Sequence, residues 1–259
     1  MGCGGPAHSR FVTAVGRPVR LYVAAGQSNM AGFGGFSERR HRAPHPLIRY
    51  RYRSQTGTGL GPLQTTPLFF RHGSIRQGLS AFCDRGVGPW WAFAHELAKQ
   101  HNESEIRILM LAVNGSSLID WCRAGGLLDQ AIAFIREETS RGATLEGMIW
   151  HQGEAGVGSQ EGDYGGMMKE MVLKLRSKTG ADNVPFVAAT LPATSPNAAL
   201  VNAALEHVVA TVPRVAIVNG QGMTLSDSVH LDSASNEAIG MAMAKAMIEM
   251  TAAPAPVAR

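Results

Sequence analysis

Five short apolar runs, separated by segments of helical spacing, constrain this chain more than any other feature. They cover residues 19–25, 106–113, 147–150, 184–189 and 215–218, and most end at a glycine or a polar turn. Runs of this length, rich in Val, Ile, Leu and Ala, read as buried strands. The intervening apolar spacing predicts helices at about 89–100, 127–141, 163–179, 198–212 and 233–250. The first of these opens at Gly88-Pro89, where a first-turn proline loses no hydrogen bond because that N–H has no intrahelical partner. Strands alternating with helices imply a parallel sheet covered on both faces. The expected fold class is α/β, a three-layer α/β/α sandwich on a five-stranded, flavodoxin-like sheet.

The chain has 259 residues, enough for one α/β domain. The expected division is a poorly ordered segment 1–17, a single domain 18–250 carrying a long insertion at about 32–88, and a flexible tail 251–259. Hydrophobic residues make up 45% of the chain and charged residues 17%, which supplies a core and leaves little for long solvated helices. Net charge is +4, and much of the excess lies between Arg39 and Arg53. Those arginines form either a basic rim for an anionic polysaccharide, a sialylated sugar or nucleic acid, or a solvated surface loop. No nucleic-acid motif accompanies them, so the loop is expected and nucleic acid is not expected as a partner. Three cysteines, Cys3, Cys83 and Cys122, without metal-like spacing read as free thiols. No signal-peptide core and no membrane-length run is visible, so the chain as given reads as cytoplasmic. Met1-Gly2-Cys3 is not an acylation start, because Pro6 stands where that pattern needs Ser or Thr.

The chemistry gathers at predicted strand ends, where ligands collect in open α/β sheets. Gly26 ends the first run and Ser28 follows it. A serine becomes a nucleophile when a base takes its proton. Asp227-Ser228-Val229-His230 supplies a histidine with a carboxylate three residues before it. His151-Gln152-Gly153-Glu154 follows the third run, and Asn114-Gly115 the second. Gly115 lets a backbone N–H approach a bound oxygen because no side chain intervenes. His151 has no second His or Cys at ligand spacing, so no metal site and no cofactor are expected.

Together these blocks resemble the SGNH (GDSL-like) hydrolases, and within them the branch of carbohydrate esterase family 6 and the sialate O-acetylesterase-like domains. The resemblance rests on Gly26-Gln27-Ser28-Asn29-Met30, Val113-Asn114-Gly115-Ser116-Ser117, Trp150-His151-Gln152-Gly153-Glu154 and Asp227-Ser228-Val229-His230-Leu231, with Gly88-Pro89 opening a helix. It implies a metal-independent serine esterase removing O-acetyl groups from a carbohydrate, either a xylan-type polysaccharide or sialic acid. The catalytic candidates are Ser28 as nucleophile, His230 as base, and Asp227 or Glu154 as the partner of His230. Asp227 is the nearer one in sequence, while Glu154 enters because members of the branch carry a glutamate there. Ser28 and Gly115 N–H and the Gln152 amide are the expected oxyanion donors. Gln27, Asn29 and Asn114 are the expected substrate contacts. Tyr50, Tyr52, Phe69 and Phe70 are candidates for stacking on a sugar, although Phe69 and Phe70 are expected rather to anchor the insertion to the core. The rivals are a generalist short-chain carboxylesterase and a carbohydrate-binding protein that has lost turnover.

Overall fold

The first strand, β1 (Val19–Gly26), alternates its side chains between two cores. Leu21, Val23 and Ala25 join one apolar cluster, and Tyr22 and Ala24 the other. Burial on both faces is why this run is apolar throughout instead of alternating with polar residues. The computed structural model describes residues 16–53, 59–67, 86–155 and 163–252. After β1 come α1 (Ser28–Ala31), α2 (Glu38–His41), β2 (Ile48–Tyr52), α3 (Pro89–Gln100), β3 (Glu105–Met110), α4 (Leu118–Cys122), α5 (Leu127–Ser140), β4 (Ala143–His151), α6 (Tyr164–Thr179), β5 (Phe186–Ala189), α7 (Ala198–Thr211), β6 (Val215–Val218) and α8 (Ser233–Ala252).

All strand pairs are parallel, in the order β2-β3-β1-β4-β5-β6. Helices α1, α3 and α8 cover one face, and α4, α5, α6 and α7 the other. The chain leaves β1 toward the β3 side and later places β4 on the opposite side. The loops after β1, β3 and β4 therefore diverge around a crevice at the strands' carboxyl ends, the usual ligand position in such sheets.

The sheet has six strands, not the five expected. The extra strand lies inside the 32–88 insertion, at Ile48–Tyr52. Ile48, Tyr50 and Tyr52 face the core, and Arg49 and Arg51 alternate with them. The arginine-rich stretch is thus partly an edge strand rather than a solvated loop. Glu138 makes this workable: it lies fully buried in α5, with Arg107 Nη1 at 2.7 Å and Arg51 Nε at 3.1 Å from its carboxylate. A buried carboxylate needs such partners. Tyr50 and Tyr52 are 2% and 4% exposed, so they are core residues and not sugar platforms. Phe69 and Phe70, Cys3 and Cys83, most of the N-terminal segment and the tail from residue 253 lie outside the described residues. Cys122 has a free, half-buried thiol that burial pushes up to about 11. No helix among the described residues is long and apolar enough to cross a membrane.

Candidate active site

Gly26 is the hinge on which the site is built. Its φ is +139°, and a Cβ there would lie 2.0 Å from the carbonyl oxygen of His151. Only glycine fits both demands. The turn is closed by the Gln27 N–H donating to that same carbonyl at 3.0 Å. Ser28 then opens α1, and it is 5% exposed.

His230 approaches Ser28 from a loop 202 positions away in sequence: its Nε2 lies 3.1 Å from Ser28 Oγ. Its Nδ1 lies 2.8 Å from Asp227 Oδ2. Asp227 Oδ1 also accepts from the backbone N–H groups of Val229 and His230, at 2.8 and 2.7 Å. The hydrogen bond to the His230 ring and the two backbone donors hold the Asp227 carboxyl down at about 2, so it is ionised at neutral pH. Phe33 lies flat on the imidazole, with ring centroids 3.9 Å apart and planes 9° apart. Nothing in the local sequence marked Phe33, which reaches His230 only through the fold.

The residues flanking Ser28 grip opposite walls. Gln27 Oε1 accepts from the backbone N–H groups of Gly153 (3.2 Å) and Ala155 (3.0 Å) and from Gln152 Nε2 (3.2 Å). Two backbone donors fix which end of that amide is oxygen. Gln152 is fully buried, and its Nε2 also faces the carbonyls of Ser116 (3.2 Å) and Ala155 (3.0 Å) while Tyr164 donates to its Oε1 at 2.8 Å. Its two amide hydrogens are occupied within the protein, which corrects the expectation that Gln152 serves as an oxyanion donor. Asn29 is also fully buried. Its Oδ1 accepts from Leu231 N–H at 2.9 Å, and its Nδ2 donates to the Val229 carbonyl at 3.2 Å and to Glu154 Oε1. Asn29 is therefore a structural clamp and not a substrate contact.

Glu154 does not meet His230. Its side chain is 1% exposed and its carboxylate is held by His151 Nε2 at 3.0 Å and by Asn29. Burial pushes this carboxyl upward, but the His151 pairing and the donated hydrogen bonds outweigh it and keep it below the usual range. His151 is tied to Glu154 by this contact. Among the described residues no group of three or more His, Cys, Asp or Glu could hold a metal ion.

The turn after β3 completes the crevice. Val113 N–H (3.0 Å) and Ser116 Oγ (3.3 Å) both donate to the Gly26 carbonyl, pinning it beside the serine. Asn114 is half-buried in that turn; Gly115 has φ +67°, and a Cβ there would touch nothing within 4 Å. Asp120 closes a capping box with Ser117 at the start of α4, and Trp121 is fully buried.

Residues 18–249 match the model of the family described as carbohydrate esterase, sialic acid-specific acetylesterase. The chain belongs to that family. It is a carboxylic ester hydrolase. A probable carbohydrate esterase of Arabidopsis thaliana, At4g34215, is 24% identical over 250 residues, spanning 89% of this chain and 91% of the relative. The X-ray structure of that Arabidopsis protein superposes with a TM-score of 0.72 at 22% identity, over 90% of this chain and 98% of that one. The crystal structure of NanS gives 0.69 at 16% identity, over 91% and 98%. XAC1771, a carbohydrate acetylesterase from Xanthomonas citri, gives 0.64 at 17% identity, over 89% of this esterase and 56% of that chain. At these identities the structural matches speak for the fold, and the esterase's own residues must carry the chemistry.

Proposed function

We propose that the esterase removes O-acetyl groups from a carbohydrate by acyl transfer through Ser28, with His230 as general base and Asp227 as its partner. The observation that carries this reading is the continuous contact Ser28 Oγ–His230 Nε2–Asp227 Oδ2, at 3.1 and 2.8 Å. Nucleophile, base and orienting acid at such distances form the arrangement that acyl-transfer catalysis through serine needs. Asp227 fixes the tautomer with Nε2 facing the serine, and it stabilises the imidazolium formed when His230 takes the proton.

Ser28 Oγ attacks the acetyl carbonyl as its proton passes to His230 Nε2. The oxyanion then accepts from Ser28 and Gly115 N–H, each worth on the order of 3 kcal/mol in such a site. His230 returns the proton to the departing sugar oxygen, leaving acetyl-Ser28. Water attacks this ester as its proton passes to His230, and His230 then returns that proton to the departing Ser28 Oγ, which restores the serine and releases acetate.

Both sialic acid and acetylated polysaccharide suit the family description. The test is hydrolysis of a chromogenic ester series, acetate to octanoate, by wild type and Ser28→Ala, followed by O-acetylated sialic acid and acetylated xylan. Acetate should be cleaved best, and Ser28→Ala should lose nearly all turnover. Equal rates along the series favour a generalist carboxylesterase. An inert wild type, or a fully active Ser28→Ala, removes the serine mechanism.

A further inference from the structure

Glu154 is buried where the acyl-transfer scheme has no use for it, and its connections lead to the catalytic pair. It touches neither Ser28 nor His230. It accepts from Asn29 Nδ2, and Asn29 holds the backbone on both sides of His230: the Val229 carbonyl at 3.2 Å and the Leu231 N–H at 2.9 Å. Asn29 is also the residue directly after Ser28. One buried amide therefore links the nucleophile's turn to the loop that carries the base.

An isolated asparagine amide could sit in either of two orientations. Here a carboxylate accepts and cannot donate, so Glu154 demands the NH₂ end of Asn29. That leaves Oδ1 for the Leu231 N–H. His151 Nε2, 3.0 Å from the same carboxylate oxygen, locks Glu154 in turn. We propose that Glu154 and His151 act through Asn29 as a positioning device that sets the Ser28–His230 distance. The glutamate of the third block is thus a hydrogen-bond acceptor for the clamp and not an acid partner of the base. This inference rests on the acyl-transfer reading of Ser28 and His230.

The electrostatics agree. The groups that hold down the Glu154 carboxyl are His151 and Asn29, whereas Asp227 is held down by His230. Both hydrogen bonds into Glu154 end on Oε1, and Oε2 accepts none from the described residues. A glutamine can thus keep both contacts with its carbonyl oxygen, which makes a clean division between charge and geometry.

The experiment compares Glu154→Gln, Glu154→Leu and Asp227→Asn on a chromogenic acetate ester, measuring kcat, KM and the pH dependence of kcat/KM, with near-UV circular dichroism to confirm folding. Glu154→Gln should lose less than about tenfold in kcat and keep the wild-type pH profile. Glu154→Leu, which cannot accept, should lose at least another tenfold in kcat at nearly constant KM. Asp227→Asn alone should displace the acidic limb of the profile. The proposal is overturned if Glu154→Gln is as damaged as Asp227→Asn and moves the same limb, because Glu154 would then act by its charge on His230. It is overturned equally if folded Glu154→Leu matches Glu154→Gln. If Glu154→Leu fails to fold, Asn29→Asp replaces it: a carboxylate facing Glu154 and the Val229 carbonyl should depress kcat at least thirtyfold, and near-wild-type kcat would refute the clamp. An inert wild type would instead strike at the esterase mechanism itself.

Discussion

Replacing Gly26 by alanine tests a close backbone approach at the site itself. At φ +139° an alanine is strained, which costs about 2 kcal/mol. The new Cβ would lie 2.0 Å from the His151 carbonyl oxygen and 2.7 Å from its carbon, and both are backbone atoms that no rotamer change can move. Reaching even 3.0 Å requires β1 and the end of β4 to separate by roughly 1 Å. Overpacking of this kind costs about 2 kcal/mol, and the reduced freedom of the unfolded chain returns somewhat less than 1 kcal/mol. The net loss is roughly 3 kcal/mol, or a fall in Tm of about 6–12 °C for a chain of this size. The same shift displaces Ser28, two residues on, from His230. A misplacement of about 1 Å reduces turnover by roughly a hundredfold. Thermal unfolding by circular dichroism and hydrolysis of an acetate ester read the two effects separately. If Gly26→Ala melts within 2 °C of wild type and keeps its turnover, the close approach of β1 to His151 is not what shapes the site.

Phe33→Leu keeps an apolar cover over His230 but removes the stacked ring that faces the transient imidazolium. A cation–π contact of about 0.5–1 kcal/mol predicts a two- to fivefold fall in kcat/KM with unchanged Tm, and no fall would show the stack to be passive. Asp227 gives a pH signature. Its carboxyl is lower in the folded state, at about 2, than the ordinary value of about 3.9, so its stabilising contribution is complete above that value and is lost as pH falls toward 2. Because the side chain is 54% exposed, solvent screening keeps the contribution small. Asp227→Asn should therefore flatten the pH dependence of Tm slightly between pH 4 and 2 while reducing ester turnover strongly at pH 7. A steeper acid dependence in the variant would contradict the assignment.

Much of the architecture was legible because its causes are local. The apolar runs, the Gly88-Pro89 helix start and the turn glycines carry strand, helix and bend in a few residues each. The edge strand β2 was also written locally, as the alternation of Ile48, Tyr50 and Tyr52 with arginines, but charge density obscured the period. Its reading as a strand depends on Glu138 in α5, which receives Arg51 and Arg107. The site divides in the same way. Gly26 and Ser28 could be singled out from their place after an apolar run, and Asp227 and His230 are close enough in sequence to meet on one loop.

What the amino-acid order alone determined is the sandwich, the strand ends at which chemistry gathers, and the residue types needed for acyl transfer. The partners of the amides and of Glu154 were decided only by the tertiary structure. Gln27 meets Gln152 across 125 positions, Asn29 meets Glu154 across 125, and Ser28 meets His230 across 202. An amide offers a donor on one side and an acceptor on the other, and a carboxylate accepts from whichever donor reaches it. Those choices are set by the neighbours that the fold delivers, which is why Glu154 faces Asn29 and Asp227 faces His230.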